Sequence, residues 1–310
     1  MTVASGLVRD VAVITETSFG TTPSSPTFVL MRVLEGSGMR GTKATELIRQ
    51  LSSRSNPVDL VQLGQDGMGS YAMVPSYGGA FETVLLNAIK QSTFTTNVAW
   101  NGRYSGGSMT FEEKITGTSA NYFRYSGVEV EQLDLDATAR QVLKATVNVQ
   151  SQDLVVTTTA ISTSTYTAVG TGEVFTALTV SGLSMLGLTT VPQVRSLKMS
   201  IKHALTPIYS LGNTYRTVAS AFDMIDLTGS VETLFEDKDA YDLFLNHTSG
   251  ALALTVGTTT TDKYTINLPK VYFSEGDVSQ AGTGPIVATF GFTAVDDGTN
   301  GCIQITKAVA

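Results

Sequence analysis

Little in this sequence invites covalent chemistry. It has one cysteine, Cys302, so no disulfide can close within the chain, and a reducing compartment suits it at least as well as a secreted one. It has two histidines, His203 and His247, neither with a second histidine at metal-ligand spacing, and neither an HExxH nor a CxxC motif. No cofactor and no catalytic residue is therefore expected. Charged residues make up only 15%, the formal net charge is −7, and no four basic residues run together. That excludes a general grip on nucleic acid, which needs clustered Lys and Arg, but not DNA passing nearby. The single tryptophan, Trp100, weakens a sugar-binding reading, which favours several exposed aromatics. No stretch approaches eighteen consecutive apolar residues, and the first seventeen residues lack a basic region followed by an apolar one, so neither a membrane-spanning helix nor a signal peptide is expected.

What is present is repetition. "GSYAMVPSYGGAFETVLLNAI" from Gly69 is echoed 160 residues later by "GSVETLFEDKDAYDLFLNHTS" from Gly229. Phe81, Val84 and Leu85 are spaced as one face of a short helix, and Tyr241, Phe244 and Leu245 repeat that triple. Asp237 suits the N-cap of the second helix and Asp239 its positive end. A second echo has an offset of 143: Leu143, Ala145, Val147 and Val149 alternate with Lys144, Thr146 and Asn148, and Ile286, Ala288, Phe290 and Phe292 alternate in the same phase with Val287, Thr289 and Gly291. Val128 and Val130 correspond in the same way to Val271 and Phe273. Preserved phase means preserved facing, because a one-residue slip turns a strand over. The smaller second offset places an extra segment in the first copy, around Gln91 to Asn121, with a hairpin turn over Trp100-Asn101-Gly102-Arg103.

The fold class read from these patterns is α+β, mainly antiparallel β, in two tandem modules with one short flanking helix each. The boundaries read as an N-terminal arm over 1–27, a first module over 28–155, a Thr/Ser-rich interdomain arm over 156–190 and a second module over 191–310. Two glycine-rich stretches read as turns: "GQDGMGS" at Gly64 to Ser70, which lacks the Lys-Ser/Thr of a phosphate loop, and "DDGTNG" at Asp296 to Gly301, which lacks calcium-loop spacing. Carboxylates cluster at Glu129, Glu131, Asp134 and Asp136, where the apolar phase of the strand switches and a bulge is expected. An acid/base pair, a solvated strand face and the wall of a passage all remain open for them.

The order of segments "ETSFGTTPSSPTFVLMRV", "SSRSNPVDLVQLGQDGMGSYAMVPSYG", the short helix and "YFRYSGVEVEQLDLDAT", followed by "PIYSLGNTYRTVASAFDMIDLTGSVETLFEDKDAYDLFLN" and "YTINLPKVYFSEGD", resembles the major tail tube proteins of long-tailed, non-contractile (siphovirus-type) bacteriophages. The resemblance runs from about Glu16 to Thr306, and no single motif carries it. It implies a virion structural protein, assembled in the host cytoplasm, whose β-sandwich joins neighbours into a ring. The inner sheet would become part of a continuous barrel, and the rings would stack into a hollow tube. Six modules per ring would make a two-module chain close as a trimer with pseudo-sixfold symmetry, with a true hexamer as the competing arrangement. The implied partners are the chain itself, the tape-measure protein, the tail terminator and distal tail proteins, with genomic DNA crossing the lumen unbound. On this reading Glu129, Glu131, Asp134 and Asp136 are candidates for the lumen. Arg49, Arg54 and Asp59 mark a candidate inter-ring loop, and Phe19 and Phe28 candidate arm contacts. The alternatives are another virion component (a tail terminator, baseplate hub or decoration protein) and a carbohydrate-binding β-module.

Overall fold

The computed structural model describes residues 9–51, 56–100, 107–169, 172, 174–212, 221–258, 261–279 and 284–308. The chain begins with β1 (Arg9–Thr15), β2 (Thr27–Leu30) and a long hairpin of β3 (Gly38–Ile48) and β4 (Asp59–Met73). Helix α1 (Gly79–Ala88) follows, then β5 (Val98–Trp100), β6 (Met109–Thr116), β7 (Ala120–Thr138), β8 (Lys144–Ser151) and β9 (Asp153–Thr157). A connecting stretch holds β10 (Thr165–Thr167) and a 3₁₀ turn, Ala177–Thr179. Then come β11 (Val180–Met185), β12 (Val194–Thr206), β13 (Ala221–Leu234), helix α2 (Asp239–Leu245), β14 (Gly250–Val256), β15 (Tyr264–Ser279), β16 (Val287–Ala294) and β17 (Gln304–Lys307). The fold is mostly antiparallel β with two short helices, as the alternation predicts. Neither helix is long and apolar enough to cross a membrane.

Period-two patterning builds the core. On β8, Ala145, Val147 and Val149 are buried, and on β16 Ala288, Phe290 and Phe292 occupy the same phase. The repeat is written into the pairing itself. Met39 on β3 stands opposite Gly69 on β4, and Met199 on β12 opposite Gly229 on β13. Val149 on β8 faces Gly69, and Phe292 on β16 faces Gly229. The expected bulge on β7 lies between Val130 and Gln132, and β15 repeats it between Phe273 and Glu275. β7 and β15 each serve two sheets. The first half of β7 pairs with β6 and β9, and its second half with β8; β15 does the same with β14, β17 and β16. The change of sheet falls at Gly127, with φ 60°, in one copy and beside Pro269 in the other, residues that release or block a strand's regular ladder.

Residues 9–15, read from the sequence as an arm, and 180–185, read as part of a strand-like arm, are strands: β1 pairs with β6 and β11 with β14, at matching places in the two copies. Val11, Ala12 and Val13 are buried. The extra segment of the first copy lies between α1 and β6, residues 89–108, where the second copy has only residues 246–249 between α2 and β14. The hairpin turn expected after Trp100 lies outside the described residues. Gly64, Gly67 and Gly69 do not form a turn; they lie inside β4. A Cβ at Gly69 would stand 2.4 Å from the Gly38 carbonyl oxygen, and one at Gly67 2.2 Å from Ser151 Oγ, so these glycines serve close strand approach. At Asp296 to Gly301 the expected turn is present: Asp297 Oδ1 accepts the N–H groups of Thr299 (2.8 Å) and Asn300 (2.6 Å).

Both helices end alike. The N–H groups of Lys90 and Gln91 reach back to the carbonyls of Asn87 and Leu86, and those of His247 and Thr248 to Phe244 and Leu243. Lys90 (φ 56°) and His247 (φ 49°) hold the left-handed position that usually takes glycine. The helices dock unequally. Phe81, Val84 and Leu85 are all buried, whereas Tyr241 and Phe244 are half-buried and Leu245 is 63% exposed. Asp237, expected as the N-cap of α2, accepts the Asp239 N–H at 2.9 Å, one residue before the assigned cap position.

The two copies are joined rather than strung. β7 of the first pairs with β12 of the second from Gln132↔Lys202 to Thr138↔Ser196, so β3-β4-β8-β7-β12-β13-β16-β15 form one antiparallel run. β5, from the extra segment, pairs with β17. Tyr264 of the second copy is buried among Tyr77, Phe81, Phe94 and Phe175, at ring-centroid distances of 5.1–6.3 Å. Its hydroxyl accepts the Gly78 N–H at the start of α1 (2.9 Å) and donates to Glu82 (2.7 Å), which Lys307 also engages at 2.6 Å. Aromatic burial and a half-buried ion pair thus fasten α1 to the second copy.

Candidate functional site

The eight-stranded run presents one apolar face to the core and one polar face outward. On the polar face Asp134, Asp136, Lys144, Thr146, Lys198, Ser200, Thr228, Ser230, Glu275 and Thr293 line an open groove of about 640 Å³. Leu133, Leu197, Ile201, Leu227 and Val231 alternate with these residues and are buried. The four candidate carboxylates on β7 are not equivalent. Asp134 lies between Thr146 and Ser200 and accepts both bonds from Gln132 Nε2 at 2.9 Å. Asp136 stands between Lys144 and Lys198 on the two neighbouring strands. Glu131, at the bulge, accepts from Gln150 Nε2 at 3.0 Å. Glu129 does not reach an open face: it is 1% exposed, and its charge acts on the buried Lys90. The groove is therefore polar and mixed in sign, not a wall of carboxylates.

The hairpin of β3 and β4 extends beyond the rest of the sheet. Arg49 and Asp59 are exposed near its tip; Arg54 lies outside the described residues. Sequence reasoning attended to these charges and passed over the apolar side chains beside them. Leu47, Leu51, Val58, Leu60, Val61 and Leu63 are all exposed, a patch that a lone soluble chain gains nothing by showing. The arm residues differ. Phe19 is half-buried, next to Gly127. Phe28, expected to reach a neighbour, is 0% exposed and stacks on Tyr166 of its own chain at 5.6 Å. β10 pairs with β2 in parallel, so the connecting stretch folds back on its own chain there.

Several buried polar groups gave no sequence signal, because their partners are distant in the chain. Glu16, 7% exposed, accepts from Ser108, from Thr110 (2.6 Å) and from the N–H groups of Gly20 (2.9 Å) and Gly127 (3.0 Å). It pins the segment after β1 to β6 and to the bend of β7. Glu113 meets Arg9 at 2.6 Å and accepts from the Tyr71 hydroxyl. Lys90 donates to the Val130 carbonyl at 3.1 Å; burial pulls its pKa down to about 8, with Glu129 opposing. His203, 1% exposed, places Nε2 2.6 Å from the Ala88 carbonyl oxygen at the end of α1. Burial pulls its pKa down to about 4, the bond to Ala88 opposes, and Lys90 adds to the fall.

Glu16 and Ser108 border an open cavity of about 840 Å³ with Glu82, Asn87 and Lys307, and Glu113 borders a different one with Arg9, while Lys90 and His203 line neither; these groups are structural staples spread through the core. Among the described residues no group of three His, Cys, Asp or Glu side chains could hold a metal ion. The extended features are a polar sheet face, two sheet edges with no strand partner among the described residues and an apolar hairpin, the kinds of surface that suit assembly. No curated protein sequence matches the chain. The family described as phage tail tube protein matches it over residues 6–294. This chain, with its repeated β-module and its open-edged central sheet, belongs to the phage tail tube protein family and is a structural component of a phage virion.

Proposed function

We propose that this protein builds the tube of a long, non-contractile tail, with three chains per ring and six similar modules around a central lumen. One observation carries the reading: β7 and β12 join two copies of a module edge to edge within one chain, leaving the β3 and β15 edges open at the ends of the run. A head-to-tail contact that repeats by rotation closes into a ring. The polar face, opposite the helices and the core, then lines the lumen. Its hydroxyls, with three carboxylates against two lysines, offer phosphates no cluster of cations, so DNA slides without the counterion release that holds it elsewhere. The apolar hairpin tip supports stacking, because burial against an adjacent ring removes its side chains from water. The tape-measure protein would fill the lumen before DNA, and terminator and distal tail proteins would cap the stack.

Electron microscopy of the purified chain at rising concentration tests this. Hollow tubes whose end-on views show threefold rings with six lobes are expected. Rings of six chains would keep the tube and overturn the trimer. Rings that never stack would favour a terminator, and a monomer at every concentration, with tape-measure protein present, would overturn the reading.

A further inference from the structure

We infer the residue register of the joint between one chain and the next, with a second copy of this chain as the partner: β3 of one pairs antiparallel with the end of β15 of the other, placing Arg40 opposite Asp277. The inference rests on the ring reading above and deepens it.

The internal joint is the template. β3 is the counterpart of β12 at an offset of 160, because Met39 faces Gly69 as Met199 faces Gly229. β15 is the counterpart of β7 at an offset of 143, because Val278 faces Ala288 as Leu135 faces Ala145. Within the chain, Lys198, Met199, Ser200, Ile201 and Lys202 face Asp136, Leu135, Asp134, Leu133 and Gln132. Moving that pairing by the two offsets sets Gly38, Met39, Arg40, Gly41 and Thr42 against Ser279, Val278, Asp277, Gly276 and Glu275.

Three observations support the transfer. The edges are free: among the described residues β3 pairs only with β4, and beyond Val271 β15 pairs only with β16. Exposure differs as a missing neighbour requires: Leu135 is half-buried beside β12, while its counterpart Val278 is 40% exposed. The chemistry is complementary at two neighbouring positions. Met39 meets Val278 where Met199 meets Leu135, and Arg40 meets Asp277 at the place of Ser200 and Asp134, two residues from that of the Lys198–Asp136 pair. A register shifted by two residues would set Arg40 against Glu275 or Ser279 and Met39 against Gly276 or outside the strand, breaking the apolar row.

The free edge also carries a guard. The Met39 N–H is donated to Glu113 at 3.1 Å, and its carbonyl accepts the Tyr125 hydroxyl at 3.1 Å. The matching residue Met199 pairs instead with Leu135. Ring closure exchanges the two side-chain bonds for strand bonds to Val278, so Met39 is protected until the correct partner arrives.

Cysteine pairs read the register. Cys302 is buried, so the native background is clean. The variant Arg40→Cys/Asp277→Cys should form interchain disulfides in assembled rings, giving linked dimers and closed trimers on a non-reducing gel. Arg40→Cys/Ser279→Cys should give about tenfold less, since its Cα atoms lie beyond bridging distance. Charge reversal provides a second reading without cysteines. Arg40→Asp or Asp277→Arg alone should suppress ring formation, and the two together should restore it. Intact rings in which the shifted pair links and the 40/277 pair does not would overturn the register while leaving the ring standing. Failure of the native chain to form rings would overturn both.

Discussion

At the scale of single residues the molecule is held by groups that only the neutral or the paired state satisfies. His203 titrates near 4 in the fold and near 6.5 when unfolded. Its folded pKa is depressed, so between pH 6.5 and 4 the unfolded chain binds more protons and stability falls as pH falls through that window. The difference is about 3 kcal/mol. His203→Gln keeps a donor for Ala88 and removes the titration. Urea unfolding of the variant should show a smaller loss than the native chain between pH 6.5 and 4; equal losses would remove His203 from the account. Lys90 and Glu129 make a second test. Lys90→Met leaves the buried Glu129 without that cation and should cost about 3 kcal/mol, and adding Glu129→Leu should recover most of it. A double variant no better than the single one would show that the two charges are not coupled.

At the scale of elements the hairpin of β3 and β4 offers the clearest prediction. Leu60→Ser with Leu63→Ser removes apolar side chains that are already exposed, so the folded chain should lose less than about 0.5 kcal/mol. Ring stacking should weaken, seen in micrographs as single rings replacing tubes; tubes of native length would assign stacking to another surface. Much of the element plan was legible in the sequence, because the β8 and β16 alternation and the Phe81 and Tyr241 triples are local patterns. The bulge after Val130 was legible for the same reason, since a phase switch within one strand has few other causes. The strand β1 was not, and β11 only as part of a strand-like arm. Each is short, follows or precedes Ser, Thr and Pro, and owes its existence to a distant partner, β6 or β14. Nor could the shift of buried positions from Tyr125 to Val128 reveal that β7 changes sheets at Gly127, since it does not name the partners that change. Glu129 was misplaced because strand parity gives a face but not what covers it, and here α1 and Lys90 do.

At the scale of the whole molecule the fold is two modules sharing one sheet, and the lumen reading makes a claim about charge. Asp134 and Asp136 face the groove beside Lys144 and Lys198. Asp134→Lys with Asp136→Lys would leave a cluster of cations there. Repeated in every chain of a tube, that should retain DNA at low salt and release it as salt rises, whereas native tubes should retain little under either condition. Co-sedimentation of tubes with linear DNA measures this, and variant tubes that retain no more DNA than native ones would place these aspartates away from the lumen.

The joint between β7 and β12 has a consequence for how growth begins. Two modules on one chain cannot drift apart, so dilution never touches that seam and its effective concentration is set by the connecting stretch. In the proposed ring, six modules on three chains need only two encounters between free molecules before the third seam closes within the assembly, against five for separate modules, so translational and rotational freedom is lost fewer times. Such a ring should form below the concentration at which six separate modules would gather, and a single ring taken apart should part where β3 is proposed to meet β15 and not between β7 and β12.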